Sequence, residues 1–577
     1  MKHFIQDLKP YKWQIIGLLA LTLIMVFATL AVPTLLADII NIAIPSLDKP
    51  MLWRIAGLML LFTCIEVAAN LGLGFLATKI SAGFSKNLRL RVFTKVQYLS
   101  QEEMERFSSS SLISRSNNDV EQVQQFVSMF LRMSLMSPIM AVGGVILALR
   151  KSTQMSLILL IIIPIMVLFI VTIAKLALPL TVQLQKKLDR INLIIREKLH
   201  GLRVTRTFGT EEYEEQRFYT TSLDHKNLAI KMQNRFALFT PGLNLILYGS
   251  SVILMAFGAK QIMLNNAIPI GDLVAVIQYI IQILLSIMNI SFMLVMYPRA
   301  AVSGKRIIEV LDSRNKIQNK PNAIQNIEGD VVVEYKNVSF AFPDAQSPAL
   351  QNISFVAKPG QTTAFIGSTG SGKSTLVQLL PRFFDVSEGE ILWNGNNIQN
   401  IDLATLRQNI GYIPQKANAF AGSIAQNIAL GSEHMEQSTI EKAAKVAQAF
   451  DFIIEKDHGF ESELSQGGKN LSGGQRQRLA IARAIAKQAP LYIFDDSFSA
   501  LDVKTDANLR RALKAELQNA CILIVAQRVN TIQNADQIIV LEEGKCVGIG
   551  SHKELLENCT VYQEIVQSQS QEGTYEK

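Results

Sequence analysis

Cysteine is scarce in this chain. Four cysteines occur among 577 residues, at Cys64, Cys521, Cys546 and Cys559, and they show neither a pairing pattern nor the close spacing of metal ligands. The sequence therefore argues against a disulfide framework and against a structural zinc site as the basis of the fold. Isolated thiols of this kind suit a reducing interior.

The chain also lacks an arginine-rich arm and any nucleic-acid reader motif, although its formal net charge is +8. Much of the positive charge lies beside apolar stretches, which is the distribution that the positive-inside rule predicts for membrane proteins. Internal repeats and low-complexity tracts are missing from the sequence as well. We therefore expect no nucleic-acid partner.

Charged residues are also few, at 18%, against 49% hydrophobic residues and a mean hydropathy of +0.23. A chain of this length is too long for one compact core and indicates two or more domains. A strongly apolar part joined to an ordinary soluble part explains this mixture.

Six apolar stretches lie within the first 311 residues, and each approaches the roughly 20 residues that cross a hydrocarbon core. The first lacks the small-residue cleavage site of a removable signal peptide, so we interpret it as a true span. The predicted spans are Ile15–Ala37, Ile55–Ala77, Phe130–Leu149, Ser156–Leu178, Leu238–Ala259 and Leu273–Val295. A helical transmembrane domain over residues 1–311 is the expected fold, with the lipid bilayer as its partner.

The connections between these stretches alternate between short and long, and Lys and Arg are concentrated in the two long ones. This asymmetry predicts that the long loops and both termini are cytoplasmic in a multi-pass protein of the cell membrane. Arg150 and Lys151 oppose the bias. The long loops also have helical character, with polar turns near residues 107–119 and 201–212 that we expect to contact a soluble domain.

Residues 312–330 form a polar stretch rich in Asn and Gln, which we interpret as a linker. Beyond it, over residues 331–577, short β-rich runs alternate with helical segments, a pattern typical of an α/β domain with a largely parallel sheet. The predicted strands are Val331–Tyr335, Thr363–Ile366, Leu491–Phe494, Ile522–Val525 and Gln537–Leu541.

A phosphate-binding loop opens the second half of the chain. It matches G-x-x-x-x-G-K-[ST], follows an apolar strand and precedes a helical run, which is the context that this motif requires. Glycines let backbone N–H groups turn towards phosphates, the lysine reaches the terminal phosphates, and the first hydroxyl after it ligates Mg²⁺. The predicted ATP-binding residues are Gly367, Ser368, Thr369, Gly370, Ser371, Gly372, Lys373, Ser374 and Thr375.

Three further residues accompany this loop. Asp495 ends the apolar run Leu491–Phe494 and is the expected second anchor of Mg²⁺, beside Ser374. Gln415 is placed to sense the metal and the γ-phosphate. Phe342 has two open interpretations, stacking on adenine or packing in the core.

The most specific motif is Leu471, Ser472, Gly473, Gly474 and Gln475, just before a helical run. With the phosphate-binding loop, it makes residues 331–558 resemble the nucleotide-binding domain of an ABC transporter. The six spans resemble an ABC exporter half.

This resemblance implies that the LSGGQ segment caps the γ-phosphate of ATP bound to a second half-transporter. It also implies that Ser499 and Asp502 lie on a loop that runs along the interface between two ATP sites.

Two positions depart from the pattern of the family. Asp496 stands where the family usually has a glutamate, the general base, and its side chain is one methylene shorter. Gln527 stands where the family has a histidine that contacts the γ-phosphate, and an amide cannot carry a proton near neutral pH. The shorter side chain displaces the carboxylate of Asp496 by about one bond length, and a misplacement on the order of 1 Å can cost roughly 100-fold in rate. We therefore expect the site on this chain to bind ATP firmly and to hydrolyse it poorly.

An intact LSGGQ segment beside these two changes resembles the degenerate-site subunit of heterodimeric bacterial multidrug ABC exporters. The expected function is ATP-driven export of a small amphipathic or hydrophobic substrate, with a different half-transporter as partner. Two alternatives stay open, an ATP-gated channel or regulatory protein and a homodimeric lipid or peptide exporter.

One ionisable residue, Glu66, lies midway along the second span. A carboxylate at that depth is costly and indicates function by default, here a cavity that attracts cationic substrates. The alternative is a structural hydrogen bond, for example to Asn70.

Overall fold

A computed structural model describes residues 2–265, 269–327, 329–343, 345–432 and 434–575. The chain divides into two compact units. The first consists of Met1–Gln97 and Ser108–Ser313, and the second of Tyr98–Phe107 and Arg314–Lys577.

The first unit is helical. Its helices, with those of the segment between its two parts, are α1 (Lys2–Leu8), α2 (Lys12–Asp38), α3 (Lys49–Gln97), α4 (Gln101–Phe107), α5 (Ser109–Ser114), α6 (Val120–Met129), α7 (Leu135–Lys151), α8 (Thr153–Ser156), α9 (Leu159–His200), α10 (Leu202–Phe208), α11 (Glu211–Ala237), α12 (Phe239–Asn265) and α13 (Ile270–Leu311). Wider π-helical turns at Ile39–Ala43, Arg115–Asp119 and Phe130–Ser134 continue some of these helices.

Six helical segments are long and apolar enough to cross a membrane, which confirms the six predicted spans. In chain order, spans 1 to 6 are Phe4–Ala43, Lys49–Gln97, Ser109–Lys151, Thr153–His200, Glu211–Met263 and Ile270–Leu311. Apolar side chains such as Leu71 and Phe75 are about two-thirds exposed, as lipid-facing residues are. Trp13 and Trp53, near one end of span 1 and one end of span 2, are also exposed, as in the aromatic belts of membrane proteins.

The turn after span 2 lies earlier than the sequence indicated. We expected a polar turn near residues 107–119, but helix resumes at Ser109 because the Ser108 hydroxyl accepts a hydrogen bond from the Ser111 N–H and caps α5. The break falls instead on the segment that contains α4. That segment belongs to the second unit, where Lys316 lies 2.6 Å from Glu102. The turn expected near residues 201–212 contains the short helix α10.

A charged cluster ties three spans together at the end where short loops join them. The Lys151 ammonium of span 3 lies 2.9 Å from Asp272 of span 6 and 3.9 Å from Asp38 of span 1. The Asn41 amide donates to the same Asp272 oxygen. Lys151 is thus neutralised by carboxylates, which explains how the chain tolerates a cation where the charge bias disfavours one.

The second unit is an α/β domain. Its strands are β1 (Val333–Phe340), β2 (Leu350–Ala357), β3 (Thr362–Gly367), β4 (Glu388–Trp393), β5 (Asn396–Asn397), β6 (Ile410–Ile413), β7 (Gly422–Ser423), β8 (Glu463–Leu464), β9 (Leu491–Asp495), β10 (Cys521–Val525), β11 (Gln537–Glu542) and β12 (Lys545–Gly550). Its remaining helices are α14 (Lys373–Leu379), α15 (Leu403–Gln408), α16 (Ile424–Ile428), α17 (Gln437–Val446), α18 (Phe450–Ile454), α19 (Gly473–Ala486), α20 (Val503–Glu516), α21 (Val529–Ile532), α22 (His552–Asn558) and α23 (Thr560–Tyr575).

The main sheet has the order β12-β11-β3-β10-β9-β6. The five strands β11, β3, β10, β9 and β6 run parallel to one another, and the edge strand β12 pairs antiparallel with β11. The predicted strand Val331–Tyr335 does not join this sheet. It belongs to β1, which lies in a separate antiparallel sheet of order β2-β1-β4-β5, because it pairs with strands that the sequence interpretation missed.

Two hydrophobic clusters cover the faces of the main sheet. Alternate residues of each strand enter opposite clusters, as the two-residue period of a strand requires. On β9, for example, Phe494 packs in one cluster and Ile493 in the other. Both are fully buried, so the strand ends are held rigidly where functional side chains emerge.

Candidate nucleotide site

Four parallel strands bring the predicted site residues to one edge of the main sheet. β3 ends at Gly367, β9 at Asp495, and β10 and β6 end just before Gln527 and Gln415. Ligands of open parallel sheets bind in the crevice at the carboxyl ends of the strands. The residues singled out from the sequence therefore meet at the edge where a ligand is expected.

The loop after β3 requires glycine at specific positions. Gly372, just before α14, has a φ of +94°, and a Cβ there would lie 2.8 Å from the Ala349 carbonyl oxygen. A Cβ on Gly367 would lie 2.0 Å from the Leu541 carbonyl oxygen. A side chain at either position forces the backbone to move, so the glycines of the motif follow from backbone geometry.

Lys373 lies inside the curve of this loop. Its ammonium donates to the carbonyl oxygens of Gly367 at 2.9 Å and Ser368 at 2.7 Å, and to the Ser371 hydroxyl at 3.3 Å. Burial lowers the pKa of Lys373, and the nearby carboxylates of Asp496 and Asp495 partly oppose that shift. A buried cation held by its own loop fits a phosphate group.

The predicted metal anchors are in direct contact. The Ser374 hydroxyl donates to Oδ1 of Asp495 at 2.6 Å. The other carboxylate oxygen, Oδ2, accepts a hydrogen bond from the Tyr412 hydroxyl at 3.1 Å. A hydroxyl beside a carboxylate is the hard oxygen donor set that Mg²⁺ prefers, so the residues present fit a Mg²⁺-nucleotide.

Asp496 is the centre of a second network. Its Oδ2 accepts two amide hydrogen bonds, from Gln415 at 3.0 Å and from Gln527 at 3.0 Å. Its backbone has a φ of +48°, in the left-handed region that aspartate tolerates better than most residues. Burial raises the pKa of Asp496, while the Gln415 amide works in the opposite direction. All three residues flagged as catalytic positions therefore share one oxygen atom.

The LSGGQ segment forms the N-terminus of α19. The Ser472 hydroxyl accepts from the Gln475 N–H at 3.2 Å, and the Gln475 side chain accepts from the Ser472 N–H at 2.9 Å, which is a capping box. Leu471 is buried beneath it. A Cβ on Gly474 would lie 3.3 Å from the Ala500 carbonyl oxygen, whereas a Cβ on Gly473 meets nothing within 4 Å.

The loop after Asp496 runs from the hydrogen-bond network around Asp496 to the N-terminus of α19. The Ser499 hydroxyl donates to the Asp496 carbonyl oxygen at 2.9 Å. Asp502 caps α20 by accepting from the Thr505 N–H at 2.9 Å. Since the Ala500 carbonyl oxygen lies against Gly474, this loop joins Asp496 to the start of α19.

Two predicted residues lie apart from this network. Phe342 is half-buried and makes edge-on contacts with Phe340 and Phe384, with ring centroids 4.9 Å and 5.5 Å apart. It is therefore at least part of the core. Glu66 is half-buried in span 2, and the described residues give it no hydrogen bond to Asn70.

Sequence reasoning missed two residues that touch the site. Tyr412 lies on the short strand β6, three positions before Gln415. Gln569, on α23, hydrogen-bonds the backbone of Gln527 and Val529. Its distance along the chain from every motif left no signal in the sequence.

Comparison with known proteins agrees with this architecture. Residues 15–288 match the family described as the ABC transporter transmembrane region, and residues 350–499 match the family described as ABC transporter. The chain belongs to the ABC transporter family and is an exporter half with an ATP-driven transport ATPase domain. That domain implies ATP binding.

Relatives extend over the whole chain. An uncharacterized ABC transporter ATP-binding protein of Mycobacterium tuberculosis is 37% identical over 99% of this chain and 98% of its own length. The ATP-dependent lipid A-core flippase of Pseudomonas aeruginosa is 34% identical over 85% of this chain and 82% of its own. Among solved structures, a bacterial Atm1-family ABC exporter with ATP bound matches 97% of this chain and 98% of its own, with a TM-score of 0.82 and 23% identity. That last likeness supports the fold alone.

Proposed function

We propose that this chain is one half of a heterodimeric ATP-driven exporter whose own ATP site is weakly hydrolytic. Its phosphate-binding loop and Asp495 hold Mg²⁺-ATP, and its LSGGQ segment completes the ATP site of a different half-transporter. The expected substrate is small and amphipathic or hydrophobic.

One observation carries this proposal, the arrangement around Asp496. A general base needs a carboxylate oxygen that reaches the attacking water. Here the side chain is short, and its Oδ2 is already the acceptor of the Gln415 and Gln527 amides at 3.0 Å each. These contacts favour nucleotide retention over turnover.

The intact LSGGQ segment supplies the complementary half of the argument. Gly473 begins α19 with open space on its Cα, and the Ser472 capping box holds this helix start in shape. An ordered, unobstructed helix N-terminus suits a phosphate presented by another subunit. The chain therefore keeps the element that serves a partner while its own base position is altered.

ATPase measurements on the purified full-length chain, alone and co-expressed with candidate half-transporters, test this proposal. We expect weak activity from the chain alone and strong activity from the correct pair. In that pair, Gly473→Asp should abolish turnover, whereas Asp496→Ala should change it little. Substantial activity of the chain alone, undiminished by Asp496→Ala, would contradict the proposal.

A homodimeric lipid exporter is the second candidate. It is favoured by the 34% identity to a protein named as a lipid A-core flippase. Reconstitution of the chain alone in vesicles with a fluorescent lipid separates the two. ATP-dependent movement of that lipid between leaflets supports the homodimer, and movement only with a partner half-transporter supports the heterodimer.

We further propose that both termini and residues 331–577 are cytoplasmic, with residues 312–330 as a linker from the transmembrane domain of residues 1–311. Glu66 is then a half-buried carboxylate on the transport path. Glu66→Gln should weaken export of cationic dyes more than that of neutral ones, measured in the same vesicles. Equal effects on both dye classes would argue for a structural role.

A further inference from the structure

The side chain of Gln569, on the C-terminal helix α23, hydrogen-bonds the backbone next to the nucleotide site. The Gln569 amide donates to the Gln527 carbonyl oxygen at 2.7 Å, and its side-chain oxygen accepts from the Val529 N–H at 2.8 Å. One amide therefore fastens the backbone on both sides of Arg528. Gln569 also lines a cavity of about 400 Å³ together with Ser368 and Thr369 of the phosphate-binding loop.

This contact replaces a missing cap. Helix α21 begins at Val529, and the side chain of its N-cap residue, Arg528, makes no capping hydrogen bond. The first N–H groups of a helix lack intrahelical partners, so each needs another acceptor. Gln569 supplies one from outside the segment, and it thereby fixes where the backbone leaves β10.

The fixed backbone determines where the Gln527 side chain lies. Its amide donates to Oδ2 of Asp496 at 3.0 Å, the oxygen that also accepts from Gln415. A chain of hydrogen bonds therefore runs from Gln569 through the backbone of Gln527 to Asp496. Hydrogen bonds weaken steeply as their distance and angle change, so a shift of the Gln527 backbone breaks the bond from its side-chain amide to Asp496.

We propose that Gln569 is a positioning residue for ATP hydrolysis, acting through Gln527 on Asp496. Its side-chain hydrogen bonds go to the backbone of Gln527 and Val529 and not to the phosphate-binding loop, so we expect its effect on turnover and not on nucleotide affinity. The helix α23 then becomes a part of the chain whose docking sets the hydrolysis rate at this site.

The test is single-turnover hydrolysis of trace radiolabelled ATP by excess full-length protein, which resolves even a slow site. We expect Gln569→Ala to raise the rate constant by about fivefold, the size of one net hydrogen bond, because it frees Oδ2 of Asp496 from the Gln527 amide. The protein concentration for half-maximal rate should stay within about twofold. In a Gln527→Ala background, Gln569→Ala should add little, because both changes break the same chain.

Gln563→Ala is the matched control. Gln563 lies on the same helix and makes the same kind of bond, donating to the Leu556 carbonyl oxygen at 2.7 Å, but it does not touch the Gln527 loop. We expect its rate constant to equal that of the unmodified chain. If Gln569→Ala lowers the yield of folded protein, Gln569→Glu keeps the acceptor for Val529 and removes only the donor to Gln527.

Hydrogen exchange gives a second readout on the same variants. Exchange of the segment that contains Val529 should accelerate in Gln569→Ala and not in Gln563→Ala. The proposal is overturned if Gln569→Ala leaves the rate constant unchanged. It is also overturned if the gain is equally large in the Gln527→Ala background, or if Gln563→Ala causes the same gain.

Discussion

The side-chain amide of Gln527 lies 3.0 Å from Oδ2 of Asp496, and it donates a hydrogen bond to that oxygen. The family resemblance predicts a different residue at each of these two positions. Their contact makes the two departures a single structural unit: the short carboxylate is held by the amide that replaces an imidazole. The proposed slow hydrolysis at this site depends on how Asp496 and Gln527 together act on bound ATP.

Removing the Tyr412 hydroxyl should raise the Mg²⁺ requirement. The hydroxyl bonds one oxygen of Asp495, and the other accepts from Ser374, the second predicted Mg²⁺ anchor. Loss of such an orienting group costs metal affinity, here about tenfold or less in Tyr412→Phe. The measurement is ATPase activity of the assembled transporter, or single-turnover hydrolysis by the chain alone, as a function of Mg²⁺ concentration.

Tyr335→Phe is the control for that experiment. It removes another buried hydroxyl, which donates to the Leu376 carbonyl oxygen at 3.1 Å, away from Asp495. We expect a loss of stability of about 1 kcal/mol without a change in the Mg²⁺ requirement. Equal Mg²⁺ dependence in both variants would show that Tyr412 does not orient the metal anchor.

Gly473 and Gly474 should respond differently to alanine. The new methyl group of Gly473→Ala meets open space, and alanine favours the helix that starts there, so thermal stability should hold or rise slightly. ATPase activity of the assembled pair should nevertheless fall, because the methyl group stands where the partner's phosphate is expected. Gly474→Ala places its methyl group 3.3 Å from the Ala500 carbonyl oxygen and should lower the thermal midpoint. Full activity of Gly473→Ala would contradict the proposed role of the segment.

The stability of Asp496→Asn relative to the unmodified chain should depend on pH. Burial raises the pKa of Asp496, so the folded protein binds this proton more tightly than the unfolded chain does. The unmodified chain therefore loses stability as pH rises from the ordinary aspartate pKa through the raised one. Asp496→Asn has no such loss, so its advantage in thermal midpoint should grow over that window and stay constant above it. An advantage that shrinks with rising pH would show that the carboxylate is stabilised in its ionised form.

Local motifs in the sequence predicted most of the site, because each strand of the main sheet delivers its residue directly after its own apolar run. Asp495 and Gln415 were placed in this way, and the structure has Asp495 bonded to Ser374 and Gln415 bonded to Asp496. Spacing along the chain carried no information about Gln569, which lies 42 residues from its partner Gln527. The strand β1 pairs with β2 and β4, two strands that the sequence did not predict, so its place in a separate sheet was missed.

Capping explains the error after span 2. Ser108 and the serines that follow it have the composition of a turn, but the Ser108 hydroxyl caps α5 and so begins a helix. Polar residues favour both turns and helix starts, and the sequence alone does not separate the two. Lys151 runs against the charge bias of the loops, and the structure explains it by the neighbouring carboxylates of Asp272 and Asp38.

We infer that Asp496 and Gln527 make this chain's own ATP site slow. The most direct measurement is the single-turnover rate of ATP hydrolysis by the full-length chain, compared with that of the double variant Asp496→Glu, Gln527→His. We predict that the double variant hydrolyses bound ATP at least about tenfold faster, because a longer carboxylate reaches the water and an imidazole contacts the phosphate. An unmodified chain that already matches the double variant would contradict the account.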